Sequence, residues 1–229
     1  MASQMTAAEA GHGPTTAAPV RALAGWVLFD FAAQPFYTLI LTFLFAPYFA
    51  ASVVGDAATG QKYWGYAAAV AGVLIAVGSP LLGAIADRGG RRKPWVGMFV
   101  VVLAASMATL WLAKPAAEWS TILMLLAVFV AATAAAEFAS VFTNAIMTTL
   151  VPRERLGKLS GIGWSVGYAG GLASLVLMAG FLVATPSTGR TFLGFEPLLA
   201  LDLGQREGDR LVGPFSALWL LAFTIPFFL

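Results

Sequence analysis

The 229 residues include no cysteine and one histidine, and only 10% are Asp, Glu, Lys or Arg. The missing thiols exclude a disulfide framework and any thiolate nucleophile. The lone His12 lies in an Ala/Gly/Thr-rich leader, Met1–Pro19, so no histidine stands among the apolar runs to hold a metal or move a proton. That leader also lacks Lys and Arg, and with them the charged start of a cleavable signal peptide. No G-x-x-x-x-G-K-(S/T) loop is present, so ATP machinery is excluded. A soluble domain carries about 25% charged residues. The shortage here rules out a nucleic-acid-binding domain and a disordered chain. What fills the sequence instead is apolar: 59% of residues, with a mean hydropathy of +0.83. The expectation is an all-α polytopic membrane protein whose main partner is the lipid bilayer, with no metal and no cofactor.

Apolar runs place spans near 23–54, 63–86, 95–113, 120–151, 159–184 and 215–229, with a polar loop over 185–214 and a flexible cytoplasmic leader over 1–21. At about 1.5 Å per residue, the first and fourth runs exceed a hydrocarbon core of about 30 Å and must tilt, bend or protrude. Pro35 and Pro47 predict kinks in the first. The sixth, at 15 residues, reads as short.

Lys and Arg are divided unequally between the two sides. Arg21, Arg88, Arg91, Arg92, Lys93, Arg153, Arg155 and Lys158 fall on one side, against Lys62, Lys114, Arg190, Arg206 and Arg210 on the other. The positive-inside rule then makes the N-terminus and both basic loops cytoplasmic, in an inner or plasma membrane if the source is bacterial.

Two carboxylates lie well inside the spans, Asp30 and Glu137. A charged group there ordinarily faces a bundle interior or a wet cavity, and it marks an ion, proton or solute path. Thr133, Glu137, Ser140, Asn144 and Thr148 recur at spacings of four, three, four and four, which is one face of the fourth helix. Asp30, Gln34, Tyr37 and Thr38 make a shorter stripe on the first. Two antiparallel helices with inward polar stripes describe the wall of a hydrophilic pathway, with Asp30 and Asn144 at one level and Glu137 deeper. The competing reading is structural: a buried carboxylate bonding a neighbouring helix. Phe29, Phe31 and Phe36 read as packing or lipid contacts, and Trp64, Trp95, Trp119 and Trp164 as interfacial anchors. Gly163, Gly167 and Gly171 form a small-xxx-small face for close packing, or sliding, of the fifth helix.

Between spans two and three stands Gly83-Ala-Ile-Ala-Asp87-Arg88-Gly89-Gly90-Arg91-Arg92-Lys93. It resembles the signature G-x-x-x-D-R-x-G-R-(R/K)-(R/K) of the major facilitator superfamily, in the position where that superfamily carries it. The resemblance implies a conformational gating loop, made by Gly83, Asp87, Arg88, Gly90, Arg91 and Arg92, that latches two halves in the outward-open state. Gly83 would let helices approach, Asp87 would accept from a helix N-terminus, and the arginines would pair with acids on neighbouring helices.

A narrower likeness follows. Gly25-Trp-Val-Leu-Phe-Asp30-Phe-Ala-Ala-Gln34-Pro-Phe-Tyr37 is similar to the opening span of the vacuole-effluxer branch, the autophagy-related amino-acid exporters and their bacterial relatives. Phe142-Thr-Asn144-Ala-Ile and Ser160-Gly161-Ile-Gly163-Trp164-Ser-Val-Gly167-Tyr168-Ala-Gly170-Gly171 are similar to later stretches of it. Ala33-Gln34 replaces the branch's Asn-Ser, and Phe142 its Tyr. The resemblance implies a secondary active transporter of a small solute, with amino-acid efflux as the activity of the exporters resembled, working by alternating access and coupled to a proton, a cation or the solute's own gradient. The fold it implies is the six-helix N-terminal half of a twelve-span bundle, built from two inverted three-helix repeats with the sixth helix truncated. Three explanations of the length stay open: a fragment of a longer protein, an early stop, or a half that pairs with a second copy in place of a C-terminal half. The alternative function is a non-transporting membrane sensor or assembly protein that keeps the fold. An enzyme is not expected.

Overall fold

The computed structural model describes residues 17–88 and 91–229, so the leader up to residue 16, with His12, and Gly89 and Gly90 lie outside the described residues. Six helices are long and apolar enough to cross a membrane: α1 Val20–Val53, α2 Ala57–Asp87, α3 Arg92–Leu112, α4 Trp119–Leu150, α5 Arg153–Leu182 and α6 Glu207–Phe228. In lipid every backbone polar group must find an internal partner, and helices supply it within the segment.

The bends in α1 come from its prolines. Pro35 has no N–H, so the Phe31 carbonyl one turn earlier loses its helical donor. The indole of Trp219 on α6 supplies the replacement, donating to that carbonyl at 3.1 Å. After Pro35 the chain widens into π-helix over Phe36–Phe43 and breaks at Leu44. Pro47 sits in the short α-helical turn Phe45–Tyr48, before a second π segment over Phe49–Val53. These turns let 34 residues bend and pack where a straight rod would overshoot the core.

The packing has a hidden symmetry. Helix α1 packs on α5 and α6, α4 packs on α2 and α3, and α3 meets α6. Exchanging α1–α3 with α4–α6 reproduces this pattern of neighbours. Three is an odd number of crossings, so the two triplets enter the membrane from opposite sides, and the repeat is inverted. Direct packing between α1 and α4 is sparse by comparison.

The two ends are fastened differently. At the basic-loop end, Ala18 N–H donates to the Leu150 carbonyl at 2.7 Å and the Trp26 indole to the Thr143 carbonyl at 2.9 Å, joining α1 to α4. The last residues of the expected flexible leader are therefore tied down, and the helix already runs from Val20. At the opposite end the Tyr48 hydroxyl donates to the Ala113 carbonyl. Arg206 donates to Ser52 Oγ at 3.1 Å and to Asp209 at 2.7 Å, and Arg210 to the Trp111 carbonyl at 2.8 Å.

That second cluster corrects the sixth span. It starts at Glu207, not 215, and holds 22 residues, about 33 Å of helix. Asp209 and Arg210 fall within the polar loop expected over 185–214. Both are buried in the helix's first turn, with Arg210 stacked 4.5 Å over the Trp111 ring. The remaining loop folds back on α5, with Phe192 and Leu198 N–H groups donating to the Ala179 and Phe181 carbonyls at 2.9 Å.

Two tryptophans also depart from the anchor role. Trp64 is buried and stacked on Phe129 of α4 at 4.0 Å between centroids, and Trp164 lines a cavity. Trp119 keeps an exposed position at the start of α4.

Candidate functional site

A cavity of about 440 Å³ opens between α1, α4 and α5. Helix α1 contributes Phe29, Asp30, Ala33, Gln34 and Tyr37; α4 contributes Ala136, Glu137 and Ser140; α5 contributes Trp164, Gly167 and Tyr168. Spacings of four and three bring Asp30, Gln34 and Tyr37 to one face of α1, and Glu137 and Ser140 to the facing side of α4. The two helices touch through their polar groups: the Tyr37 hydroxyl donates to Glu137 Oε1 at 3.1 Å.

Glycines make room for this polar face. A methyl group placed on Gly163 would stand 2.7 Å from Asp30 Oδ2 and 2.8 Å from the Trp26 ring. On Gly167 it would meet Asp30 Cβ at 3.3 Å, and on Gly171 it would meet Gln34 Cγ at 2.8 Å. Gly170 extends the stripe: a methyl group there would stand 2.7 Å from the Phe31 carbonyl oxygen. The fifth helix thus lies on α1 where Asp30 and Gln34 project, which side chains larger than hydrogen would prevent.

Other members of the expected polar stripe stand elsewhere. Asn144 is exposed, outside the cavity lining, and donates to Ser140 Oγ at 3.3 Å, so it does not meet Asp30. The Thr133 and Thr148 hydroxyls return to carbonyls of their own helix, Phe129 and Ala145, each at 2.9 Å. Ser and Thr commonly satisfy themselves this way in helices, so a stripe in sequence overstates the wetted surface.

Trp164 and Tyr168 also line the cavity, although neither belongs to the polar stripes of the sequence. Each follows a stripe glycine by one position, four residues apart, and that spacing was the available signal. Their rings lie 5.8 Å apart and both are more than half exposed. Among the described residues, no group of His, Asp or Glu side chains is arranged to hold a metal ion.

An inverted pair of three-helix units, with a polar cavity beside the discontinuous first helix, is an arrangement shared by several transporter folds. The family model described as Major Facilitator Superfamily matches residues 7–175. The chain belongs to the major facilitator superfamily. That superfamily is one of membrane carriers rather than of enzymes. It is 29% identical over 206 residues to an uncharacterized MFS-type transporter, YxiO, of Bacillus subtilis (strain 168). The alignment takes in 88% of this chain and 44% of that protein, so the chain spans less than half the length of the curated relative it matches. No solved structure matches the chain.

Among the described residues of the signature-like loop, Arg92 is the firmly seated one. Arg92 donates to the Ala86 carbonyl and to the Ala145 carbonyl, both at 2.9 Å, tying the end of α2 to α4. Its partners are backbone carbonyls rather than the acids expected. Asp87, Arg88 and Arg91 are exposed. Gly83 has open space where a side chain would project, so among the described residues no helix uses it for close approach. Gly90 lies outside the described residues.

Proposed function

We propose that this chain forms one half of a secondary transporter that moves a small solute by alternating access, in the vacuole-effluxer branch of its superfamily. The observation that carries the reading is the Tyr37–Glu137 hydrogen bond across the α1–α4 gap, in a cavity that Asp30 also lines. Sparse packing between α1 and α4 leaves that bond free to break as the helices separate.

In this mechanism Asp30 is the leading candidate for the protonation or solute-contact group, ahead of Glu137. Gln34 and Tyr37 line the path, and Asn144 extends it one turn toward the basic-loop end. The Gly163, Gly167 and Gly171 face lets α5 move against α1 with little steric cost. Asp87, Arg88 and Arg91 stand exposed as the latch toward a second six-helix unit, supplied by a C-terminal half or a second copy. Arg92 is the hinge side of that latch. With the basic loops cytoplasmic, the N-terminus is cytoplasmic too. Driving energy comes from an ion gradient or the solute's own gradient.

The test is solute flux in proteoliposomes made with the product of the complete reading frame, with a pH gradient imposed in either direction. Saturable flux that responds to the gradient, and loses the response in Asp30→Asn, is the expected outcome. Unchanged flux and pH response in Asp30→Asn would remove Asp30 from the coupling role. No saturable flux of any solute would favour a sensor or assembly protein.

A further inference from the structure

We infer that the cavity between α1, α4 and α5 selects a positively charged organic amine, such as a substituted ammonium ion, over anions and zwitterions. This rests on the transporter reading of the same cavity and names the chemical class of its solute.

Three features of the lining point the same way. Its two ionisable acids are Asp30 and Glu137, and no Lys or Arg lines it. Among the described residues no protein donor bonds the Asp30 carboxylate, whereas Glu137 receives one from Tyr37. With that hydroxyl committed, the side-chain donors left are the neutral Gln34, Ser140, Trp164 and Tyr168, none of which carries a positive charge. A cation would be attracted to Asp30. An anion would be repelled, and the carboxylate end of a zwitterion would find no counter-charge on this wall.

The third feature is aromatic. Trp164 and Tyr168, tilted 49° to each other at 5.8 Å, present exposed rings to the same space, with Phe29 and Tyr37 opposite on α1. A carboxylate beside several π faces is the chemistry that recognises substituted ammonium groups, because the ring quadrupole attracts a weakly hydrated cation. A volume of about 440 Å³ accommodates a small organic cation with water beside it.

Equilibrium binding to the chain in lipid nanodiscs tests this with choline, benzyltrimethylammonium, the neutral choline isostere 3,3-dimethylbutan-1-ol, and the zwitterion glycine betaine. The expected result is saturable binding of at least one cation, with isostere and betaine weaker by roughly tenfold or more. Asp30→Asn should weaken the cation by roughly tenfold, and Trp164→Leu, at an exposed position, by several-fold. Equal binding of cation, isostere and betaine overturns the inference, as does absence of cation binding. The wild-type comparison alone decides this, whatever the folding of the variants. Proteoliposomes separate the two readings. Flux of an anionic or zwitterionic solute that neither cation inhibits sinks the cation inference and leaves transport standing. Selective cation binding with no flux of any solute does the reverse.

Discussion

The α1–α5 and α4–α2 contacts occupy equivalent places in the inverted repeat, yet they are built from opposite materials. On α4–α2 the contact is aromatic and dry: Trp64 stacks on Phe129 at 4.0 Å, Ala67 and Ala71 are buried, and the Phe138 ring lies over Gly78. On α1–α5 the glycines at 163, 167, 170 and 171 face Asp30, Gln34, Thr38 and the Phe31 carbonyl. Within lipid, apolar side chains gain little from leaving their solvent, so van der Waals fit and hydrogen bonds hold helices together. The dry contact is rigid because large rings interlock. The glycine contact has smooth backbone on one side and polar groups on the other, and the cavity opens beside it. One architecture therefore supplies an interlocked joint and a smooth one, and it is the smooth one that is proposed to slide.

The largest effect is expected from breaking the interlocked joint. Trp64→Ala empties a buried ring site and should lower stability by about 2–3 kcal/mol, read as a drop in thermal midpoint in detergent or nanodiscs. A null result would show that α2 is held from outside this chain. Next is a pair of identical substitutions with opposite signs. Gly170→Ala would set a methyl 2.7 Å from the Phe31 carbonyl oxygen, a backbone atom that cannot swing away, and should cost about 1–3 kcal/mol. Gly65→Ala on α2, which meets nothing within 4 Å, should stabilise the helix by about 0.5–1 kcal/mol. Equal shifts at the two positions would show that the α1–α5 contact tolerates a side chain as readily as open helix surface does.

This contrast was partly legible in the sequence. The period of glycines on α5 and of polar residues on α1 and α4 is a local property, fixed by 3.6 residues per turn. Pro35 likewise announces a local defect. What it cannot announce is the repair: Trp219, 188 residues away, donates to the freed Phe31 carbonyl. The start of α6 was hidden for the same reason. Asp209 and Arg210 look like loop residues until Trp111 and Arg206 are placed beside them. Trp164 reads as an anchor near a helix end, and only the position of α1 turns it toward the cavity. Asn144 shows the converse. It has the right spacing, but the cavity ends one turn before it.

Smaller effects probe the polar side. Tyr37→Phe removes the one hydrogen bond linking α1 to Glu137. Interhelical bonds in membranes average about 0.6 kcal/mol, so stability should fall by that order. Flux should change more than the thermal midpoint does, since the bond is proposed to break in each cycle. A large midpoint shift with unchanged flux would make the Tyr37–Glu137 pair structural glue.

The smallest effect lies where the two joints begin. Helix α2 has a side-chain cap, with Asp56 accepting from the Thr59 N–H at 2.8 Å, whereas the α-helical part of α5 starts at Leu156 without one. Hydrogen bonds from Thr59 hold the Asp56 carboxyl below its ordinary value of 3.8. A carboxyl lowered in the folded state contributes its stabilisation above the ordinary value and loses it as pH falls through the lowered one. Asp56→Ala should therefore lower the thermal midpoint slightly at pH 7, and the gap to the parent chain should close as the pH falls below the ordinary carboxyl value of 3.8. Arg155→Ala at the uncapped start of α5 should show no such closing gap. If both variants tracked the parent at every pH, the capped start of α2 would add nothing to the interlocked joint, whose rigidity would then reside in the Trp64–Phe129 stack.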